Sequence, residues 1–316
     1  MAQNRENHQD VEKAPMLNLE ISLDPGILAI QDYLSNDKKR PEIQEKARSL
    51  GFDDESMFIA ASVYSDPERL SSAADLLKFH KGIDDPDEKI RSFISDFKSV
   101  ERSVDANFDL IDAKKRILEV SHFFGVDKID KKVLLVPGED NSGRSIPLEN
   151  ELILVSHPEN PSNIEHEFLH SIINSVAENI ELTDEKEKNI LNLATAELRS
   201  EYGADARVLL GEEIIRTYVN YFRNNEEPLS QEKFMLQIGA VSEDWFFSQI
   251  EKNEKFRLRC EDLKITNLTE LKDRSGEYFE KFVNNKLREK IFAILKKYAL
   301  EGGSDQEKFK ELLLSI

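Results

Sequence analysis

The sequence contains few of the features that mark exported or membrane-embedded proteins. Its 316 residues include a single cysteine, Cys260, which excludes an internal disulfide framework and is typical of a reducing compartment. No run approaches the ~20 apolar residues that a membrane-spanning helix needs. Residues 1–15 are polar and mixed in charge, without the apolar segment of a secretory signal. These absences predict a cytoplasmic protein.

Basic residues are also scarce relative to acidic ones. The chain has 43 lysines and arginines against 62 aspartates and glutamates, which gives a net charge of −19. Such an excess of negative charge disfavours nucleic acid or an anionic membrane surface as the main partner. We therefore predict neither nucleic acid nor membrane among the partners, and the sequence leaves the oligomeric state open.

Four regions follow one another along the chain. Residues 1–15 are predicted to be disordered, and residues 16–125 have a helical pattern interrupted by proline and glycine. Residues 126–225 contain short apolar runs and the segment His166–His170, H-E-x-x-H, which predicts a metal-binding core, and residues 226–316 are again helical in pattern. This order predicts an α+β fold, mainly α, in which a small mixed or antiparallel sheet lies beside one helix and further helices flank it.

Two short apolar runs in the third region predict strands. The run Val133–Val136 is ended by a Pro-Gly pair, and the second run is Leu152–Val155. The polar stretch 138–150 between them is interpreted as a loop. Together with the helix that follows, the two runs predict a β-loop-β-α unit.

The most informative segment follows these strands and reads His166-Glu167-Phe168-Leu169-His170, which is H-E-x-x-H. Residues four apart on a helix lie on the same face, so both imidazoles can bind one metal ion. The glutamate between them can then move protons at that ion. The pattern predicts His166 and His170 as zinc ligands and Glu167 as the catalytic carboxylate.

The flanking residues favour a helix inside a domain. Ser162 and Glu165 have the spacing of a capping box, and Pro161 precedes them. Apolar residues recur at helical spacing and predict a buried stripe, formed by Ile164, Phe168, Ile172 and Val176. A surface helix that carried two histidines by chance would not need such a stripe.

A catalytic zinc site needs a third protein ligand, and no histidine follows His170 in the chain. The third ligand is therefore predicted to be a carboxylate. One candidate is Glu212, which opens a predicted helix and borders its apolar stripe, whereas Glu213 is predicted to face solvent. Arg216 and Tyr218 on the same helix are candidate supporting residues, because Arg216 lies one turn from Glu212.

The rival third ligand is Glu201. The pattern predicts a long helix over 188–210, which Gly211 separates from the next helix, and Glu201 lies on its apolar side if that helix is continuous. The string from Glu201 to Asp205, E-x-x-A-D, resembles the glutamate helix of several zincins, in which the aspartate supports a metal-binding histidine. That likeness implies a supporting role for Asp205, and the residues alone leave both glutamates open.

The segment from His166 to Arg216 resembles a bacterial zincin-like family known mainly as a domain of unknown function. Its members carry H-E-x-x-H followed by Ser and, three residues later, Asn, and further on a helix of the form N-E-x-I-I-R-A. The matching residues here are Ser171, Asn174 and the run Gly211–Thr217, with Gly211 in place of Asn and Thr217 in place of Ala. The resemblance favours Glu212 over Glu201 as the third ligand.

The resemblance implies a gluzincin-like zinc metallopeptidase or related amide hydrolase that acts on a peptide or protein substrate. In zincins a strand beside the metal helix commonly holds an extended substrate through backbone hydrogen bonds. Here the sheet either does so or only covers one side of the core. The alternative function is a regulatory or otherwise non-catalytic helical binding module with a structural or vestigial metal site, which the helical flanks and the negative charge allow.

Overall fold

The structure is a computed structural model that describes residues 18–21, 24–35, 41–95, 97, 108–126, 129–138, 143–203 and 205–316. The predicted disordered segment 1–15 lies outside the described residues. Within those residues the fold is mainly helical with one four-stranded mixed sheet, which confirms the predicted α+β class. The chain divides into two compact units, 1–171 and 172–316. None of the described helices combines the length and apolarity needed to cross a bilayer.

The first unit contains the sheet and the helices that precede the motif. Its elements are β1 (Leu19–Ile21), α1 (Pro25–Ser35), α2 (Pro41–Leu50), α3 (Asp54–Ser65), α4 (Leu70–Lys81), α5 (Pro86–Ile94), α6 (Leu110–Phe123), β2 (Lys132–Pro137), β3 (Arg144–Pro147) and β4 (Glu151–Ser156). The motif helix α7 (Pro161–Glu178) starts in this unit, and the division between the two units falls inside it.

The four strands lie in the order β1-β2-β4-β3. Strand β2 is parallel to both β1 and β4, whereas β3 is antiparallel to β4 and forms an edge of the sheet. The runs Val133–Val136 and Leu152–Val155 are strands, as predicted, but the interpretation of 138–150 as a loop was wrong because it contains β3. With four residues, of which only Ile146 is buried, β3 has too little apolar pattern to be recognised from sequence.

One face of this sheet packs on the helices of the first unit. Side chains from β2, β3 and β4 join residues of α1, α3, α4 and α5 in a single core; from the strands these are Leu134, Val136, Ile146, Ile153 and Val155. Because successive side chains of a strand point to opposite faces, the intervening residues belong to the other face. These intervening residues of β2 and β4 are buried as well, so both faces of the sheet are covered.

The motif helix α7 runs from Pro161 to Glu178. It begins two residues earlier than the capping box predicts, with proline in the first turn, where no helical hydrogen bond is lost. Glu165, the predicted partner in that box, is instead fully buried, with Oε2 3.5 Å from Nη1 of Arg116 in α6. The predicted apolar stripe is confirmed, since all four of its residues are at least 95% buried: Ile164, Phe168, Ile172 and Val176.

The second unit is entirely helical in the residues that are described. Its elements are α8 (Asp184–Leu193), α9 (Ala196–Tyr202), α10 (Ala206–Thr217), a π-helical turn (Tyr218–Phe222), α11 (Gln231–Ala240), α12 (Glu243–Lys252), α13 (Glu254–Asp262), α14 (Leu268–Asp273), α15 (Ser275–Tyr278), a second π-helical turn (Phe279–Val283), α16 (Lys286–Leu300) and α17 (Gln306–Leu313).

The prediction of one long helix over residues 188–210 was wrong, because these residues belong to three helices, α8, α9 and α10. Thr195 caps α9 by accepting a hydrogen bond from the amide of Leu198 at 3.1 Å. Asp205 caps α10 by accepting from the amide of Arg207 at 2.8 Å. Between them Gly203 has φ +79°, which ends α9. Two capping residues and one glycine therefore outweighed the apolar periodicity.

Candidate metal centre

Gly211 lies inside α10 and does not interrupt a helix, contrary to the prediction. A Cβ atom at this position would lie 3.7 Å from Oδ1 of Asn174, 3.8 Å from Cβ of Ala177 and 3.9 Å from Cγ2 of Ile173. The backbone of α10 therefore approaches the C-terminal half of α7 at a residue without a side chain. This contact brings the next residue, Glu212, alongside the helix that carries the motif.

The two motif histidines lie one turn apart on α7, as the spacing predicts. The centroids of the His166 and His170 rings are 5.1 Å apart, and the ring planes meet at 71°. Both side chains are half-buried, and so is Glu212. One ligand atom from each of the three residues lies within 4.8 Å of the other two.

This donor set fits zinc. Two imidazoles and one carboxylate form the protein ligands of one class of catalytic zinc site, in which the fourth position is left to water. Tetrahedral coordination at about 2.1 Å would place the ligand atoms about 3.4 Å apart. The present spacing of 4.8 Å or less exceeds that separation by at most about 1.4 Å. The predicted ligands His166, His170 and Glu212 are the residues brought together here.

Glu201, the rival ligand, has a different partner. Its Oε1 accepts a hydrogen bond from Nη2 of Arg216 at 2.9 Å, and its side chain is 48% exposed. The same guanidinium places Nε 3.7 Å from Oε2 of Glu212, whose side chain is only 13% exposed. Arg216 therefore connects the two candidate glutamates, with the more buried one beside the histidines.

Tyr202 also belongs to this group, although no pattern in the sequence distinguished it. Its hydroxyl accepts a hydrogen bond from Nη2 of Arg216, whose guanidinium lies over the Tyr202 ring at 4.9 Å from the centroid. Burial and the nearby Glu212 carboxylate raise the pKa of the Tyr202 phenol above its ordinary value. The phenol therefore stays protonated at neutral pH.

Asp205 and Tyr218 have structural contacts in this arrangement. Asp205 caps α10, as described above, and Tyr218 begins the π-helical turn. The Tyr218 ring is buried and stacks on Phe222 with the centroids 5.7 Å apart. Direct support of the metal centre by either residue remains a prediction.

Glu213 was predicted to face solvent, and this prediction was wrong. Its side chain is fully buried, and Oε1 lies 2.5 Å from Nε of Arg288 in α16. The prediction failed because α10 is buried on more than one side, as its own buried residues Leu209, Leu210 and Ile215 show. A buried charge of this kind requires an opposite charge, which Arg288 provides.

The carboxylate of Glu167 lies against the backbone that leads into β3. Glu167 is 7% exposed, and a Cβ atom at Gly143 would lie 2.6 Å from Cγ and 2.7 Å from Cδ of the glutamate. Real Cβ atoms do not approach other heavy atoms so closely, so any larger residue at this position would displace the Glu167 side chain. The start of the edge strand and the predicted catalytic carboxylate are therefore direct neighbours.

Comparison of the chain with models of protein families, with curated proteins and with solved structures found no match. The resemblance to zincins therefore rests on the motif residues and remains a prediction.

Proposed function

We propose that the protein is a zinc-dependent peptidase or a related amide hydrolase. The observation that carries this proposal is the convergence of His166, His170 and Glu212, with one ligand atom of each within 4.8 Å of the others. Glu167 lies between the two histidines on α7 and is the residue that the motif assigns to proton transfer. Two histidines, one acidic ligand and a second carboxylate are what metal-assisted hydrolysis of an amide requires.

Each residue of the centre has a role in this reaction. His166, His170 and Glu212 would hold the ion, and a zinc ion so bound would lower the pKa of water to about 7. One carboxylate oxygen of Glu167 takes a proton from the attacking water and later delivers it to the leaving amine nitrogen. Arg216 hydrogen-bonds Glu201 and lies beside Glu212, so it keeps the third ligand oriented.

Strand β3 supports a peptide as the substrate. It is an edge strand, paired on one side with β4, and no strand of the described residues pairs with its other side. An extended peptide can add to such an edge through backbone hydrogen bonds. Because Gly143 precedes β3 and touches Glu167, a peptide on this edge would pass the proposed proton carrier. Of the two interpretations of the sheet, we therefore favour substrate binding.

Removal of zinc provides the direct test of the proposal. The purified protein is expected to contain about one zinc ion per chain and to cleave a mixed peptide library. Chelation should abolish cleavage, and added zinc should restore it. Zinc at 100 times its Kd should also stabilise the chelated protein by about 2.7 kcal/mol, seen as a rise in Tm.

A matched pair of histidine variants identifies the site. His170→Ala should lose both the bound zinc and the zinc-dependent rise in Tm, whereas His80→Ala, at an exposed position of α4, should keep both. Zinc binding without cleavage of any peptide would contradict the hydrolase proposal and favour a binding module with a structural metal site. Equal zinc content in His170→Ala and the parent protein would contradict the metal centre itself.

Gly143→Ala is expected to lower kcat by about 10²-fold, since a displacement of about 1 Å in a catalytic group can cost this much. The added methyl group would meet Cγ and Cδ of Glu167 and force that side chain to turn away. Zinc content should not change, because no ligand is touched. Peptide cleavage and metal analysis of the purified variant measure the two effects.

Gly239→Ala is the control for this variant, because a Cβ atom at Gly239 meets nothing within 4 Å. It should match the parent protein in kcat and in zinc content. An unchanged kcat in Gly143→Ala would mean that the position of the Glu167 carboxylate does not limit the reaction.

A further inference from the structure

Arg144, the first residue of β3, is a cation held in place by an aromatic ring. Its guanidinium carbon lies 4.7 Å from the centroid of the Phe58 ring in α3, and Phe58 is 97% buried. A guanidinium stacked on a fixed ring loses much of its freedom before any ligand arrives. Its N–H groups remain available for hydrogen bonds, because stacking uses only the face of the guanidinium.

Two other arginines of the same unit, Arg69 and Arg116, have acidic partners. Arg69 pairs with Asp24 at 2.6 Å, and Arg116 pairs with Asp112 at 2.5 Å. Among the residues that the structure describes, no carboxylate pairs with Arg144. Within the described part of a chain that has 62 acidic residues, the Arg144 guanidinium is stacked on a ring and has no ion pair. It is available to an anion from outside the chain.

The direction of side chains along β3 determines where such an anion would lie. Ile146 belongs to the core that contains Phe58, so Arg144, two residues earlier, points to the same face. Residues directly opposite each other on neighbouring strands share a face, with their Cβ atoms about 4.5–5.5 Å apart. A peptide residue paired with Arg144 would therefore be within reach of its guanidinium. The adjacent position is Gly143, which touches Glu167.

We infer that Arg144 binds a carboxylate of the substrate within one or two residues of the bond that is cleaved. The inference rests on the proposed function and adds a substrate class to it. A guanidinium matches a carboxylate through two parallel hydrogen bonds, which a single amide oxygen cannot accept equally well. The carboxylate comes either from an acidic side chain or from the C-terminus of the peptide.

The net charge of −19 repels an acidic peptide, but this repulsion acts at long range only. At 0.15 M salt the screening length is about 8 Å, so distant acidic residues contribute little to a contact at the strand edge. Selection by Arg144 should therefore be measured at this ionic strength, because low salt would add repulsion from the whole surface.

Binding of defined peptides tests the inference without the need for turnover. The probes are acetylated ten-residue alanine-leucine peptides in which one glutamate, or a matched glutamine, is moved through the central positions. Each is made with a free and with an amidated C-terminus. Their Kd values are measured on the zinc-loaded Glu167→Gln protein. At least one glutamate position, or the free C-terminus, should strengthen binding about tenfold, the size expected for one charge-assisted hydrogen bond.

Two arginine variants, each made in the Glu167→Gln protein, show whether Arg144 causes this preference in binding. Arg144→Gln should abolish the tenfold preference, whereas Arg91→Gln, at an exposed position of α5, should keep it. A preference set by the internal glutamate identifies an acidic side chain, and one set by the free terminus identifies a terminal carboxylate. The inference would be overturned if glutamate and glutamine peptides had equal Kd values and if peptides with a free and with an amidated C-terminus also had equal Kd values. Selective binding without any cleavage by the parent protein would instead count against the proposed hydrolase.

Discussion

Glu167→Gln is expected to lower kcat for peptide cleavage by about 10²- to 10⁴-fold, the usual contribution of a positioned proton carrier. Glutamine keeps the size of the side chain beside Gly143 but cannot accept the proton of water. His166, His170 and Glu212 are unchanged, so the zinc content should match that of the parent protein. Single-turnover kinetics and metal analysis on the same preparations measure both quantities.

Glu178→Gln provides the matched control for this change. Glu178 is exposed at the end of the same helix, so this variant should keep full activity. If Glu167→Gln cleaved peptides at the parental rate, Glu167 would not be the proton carrier, and the function of the centre would have to be sought in another residue.

Arg288→Met is expected to lower the free energy of unfolding by about 3–5 kcal/mol. The variant leaves the carboxylate of Glu213 buried without its cation, since Nε of Arg288 lies 2.5 Å from Oε1 of Glu213. The Oε2 atom of Glu213 is buried without a hydrogen-bond partner among the described residues, and the Thr217 hydroxyl, 3.4 Å from Oε1, is a neutral donor that cannot replace the lost cation. The variant also removes the hydrogen bond from Nη1 of Arg288 to the Tyr221 hydroxyl. Denaturant unfolding of the parent and variant measures the difference.

Two further variants distinguish the cost of an unpaired buried charge from a general loss of stability. Arg257→Met breaks an exposed pair with Glu261 on α13 and should cost at most about 1 kcal/mol. Adding Glu213→Gln to Arg288→Met should recover part of the lost stability, because an uncharged amide is less costly to bury. Equal losses in Arg257→Met and Arg288→Met would contradict a special role for the buried pair.

The local part of the site could be predicted from the sequence. The H-E-x-x-H spacing, the stripe from Ile164 to Val176 and the two apolar strands all depend on neighbours within a few residues. Such patterns are reliable because the repeat of a helix or a strand decides which nearby residues share a face. The class of the fold follows from the same patterns, since helical periodicity predominates on both sides of a short stretch of strands.

The rest depends on packing between distant segments. Arg288, which lies 75 residues after Glu213, pairs with this buried glutamate. The residues of α10 alone cannot show that such a partner exists. Likewise, the residues alone left Glu212 and Glu201 open. In the structure Glu212 lies beside the histidines, where α10 approaches α7 at Gly211, and it is also the more buried of the two. Gly143 was missed for the same reason, because its neighbour Glu167 lies in another element.

The position of Arg216 bears on whether the chain can fold before it binds the proposed zinc ion. A half-buried carboxylate without a cation nearby would oppose assembly of the surrounding helices. Since Nε of Arg216 lies 3.7 Å from Oε2 of Glu212, we expect these helices to assemble without the proposed metal. In this respect the chain is expected to differ from zinc fingers, which are unfolded until they are loaded.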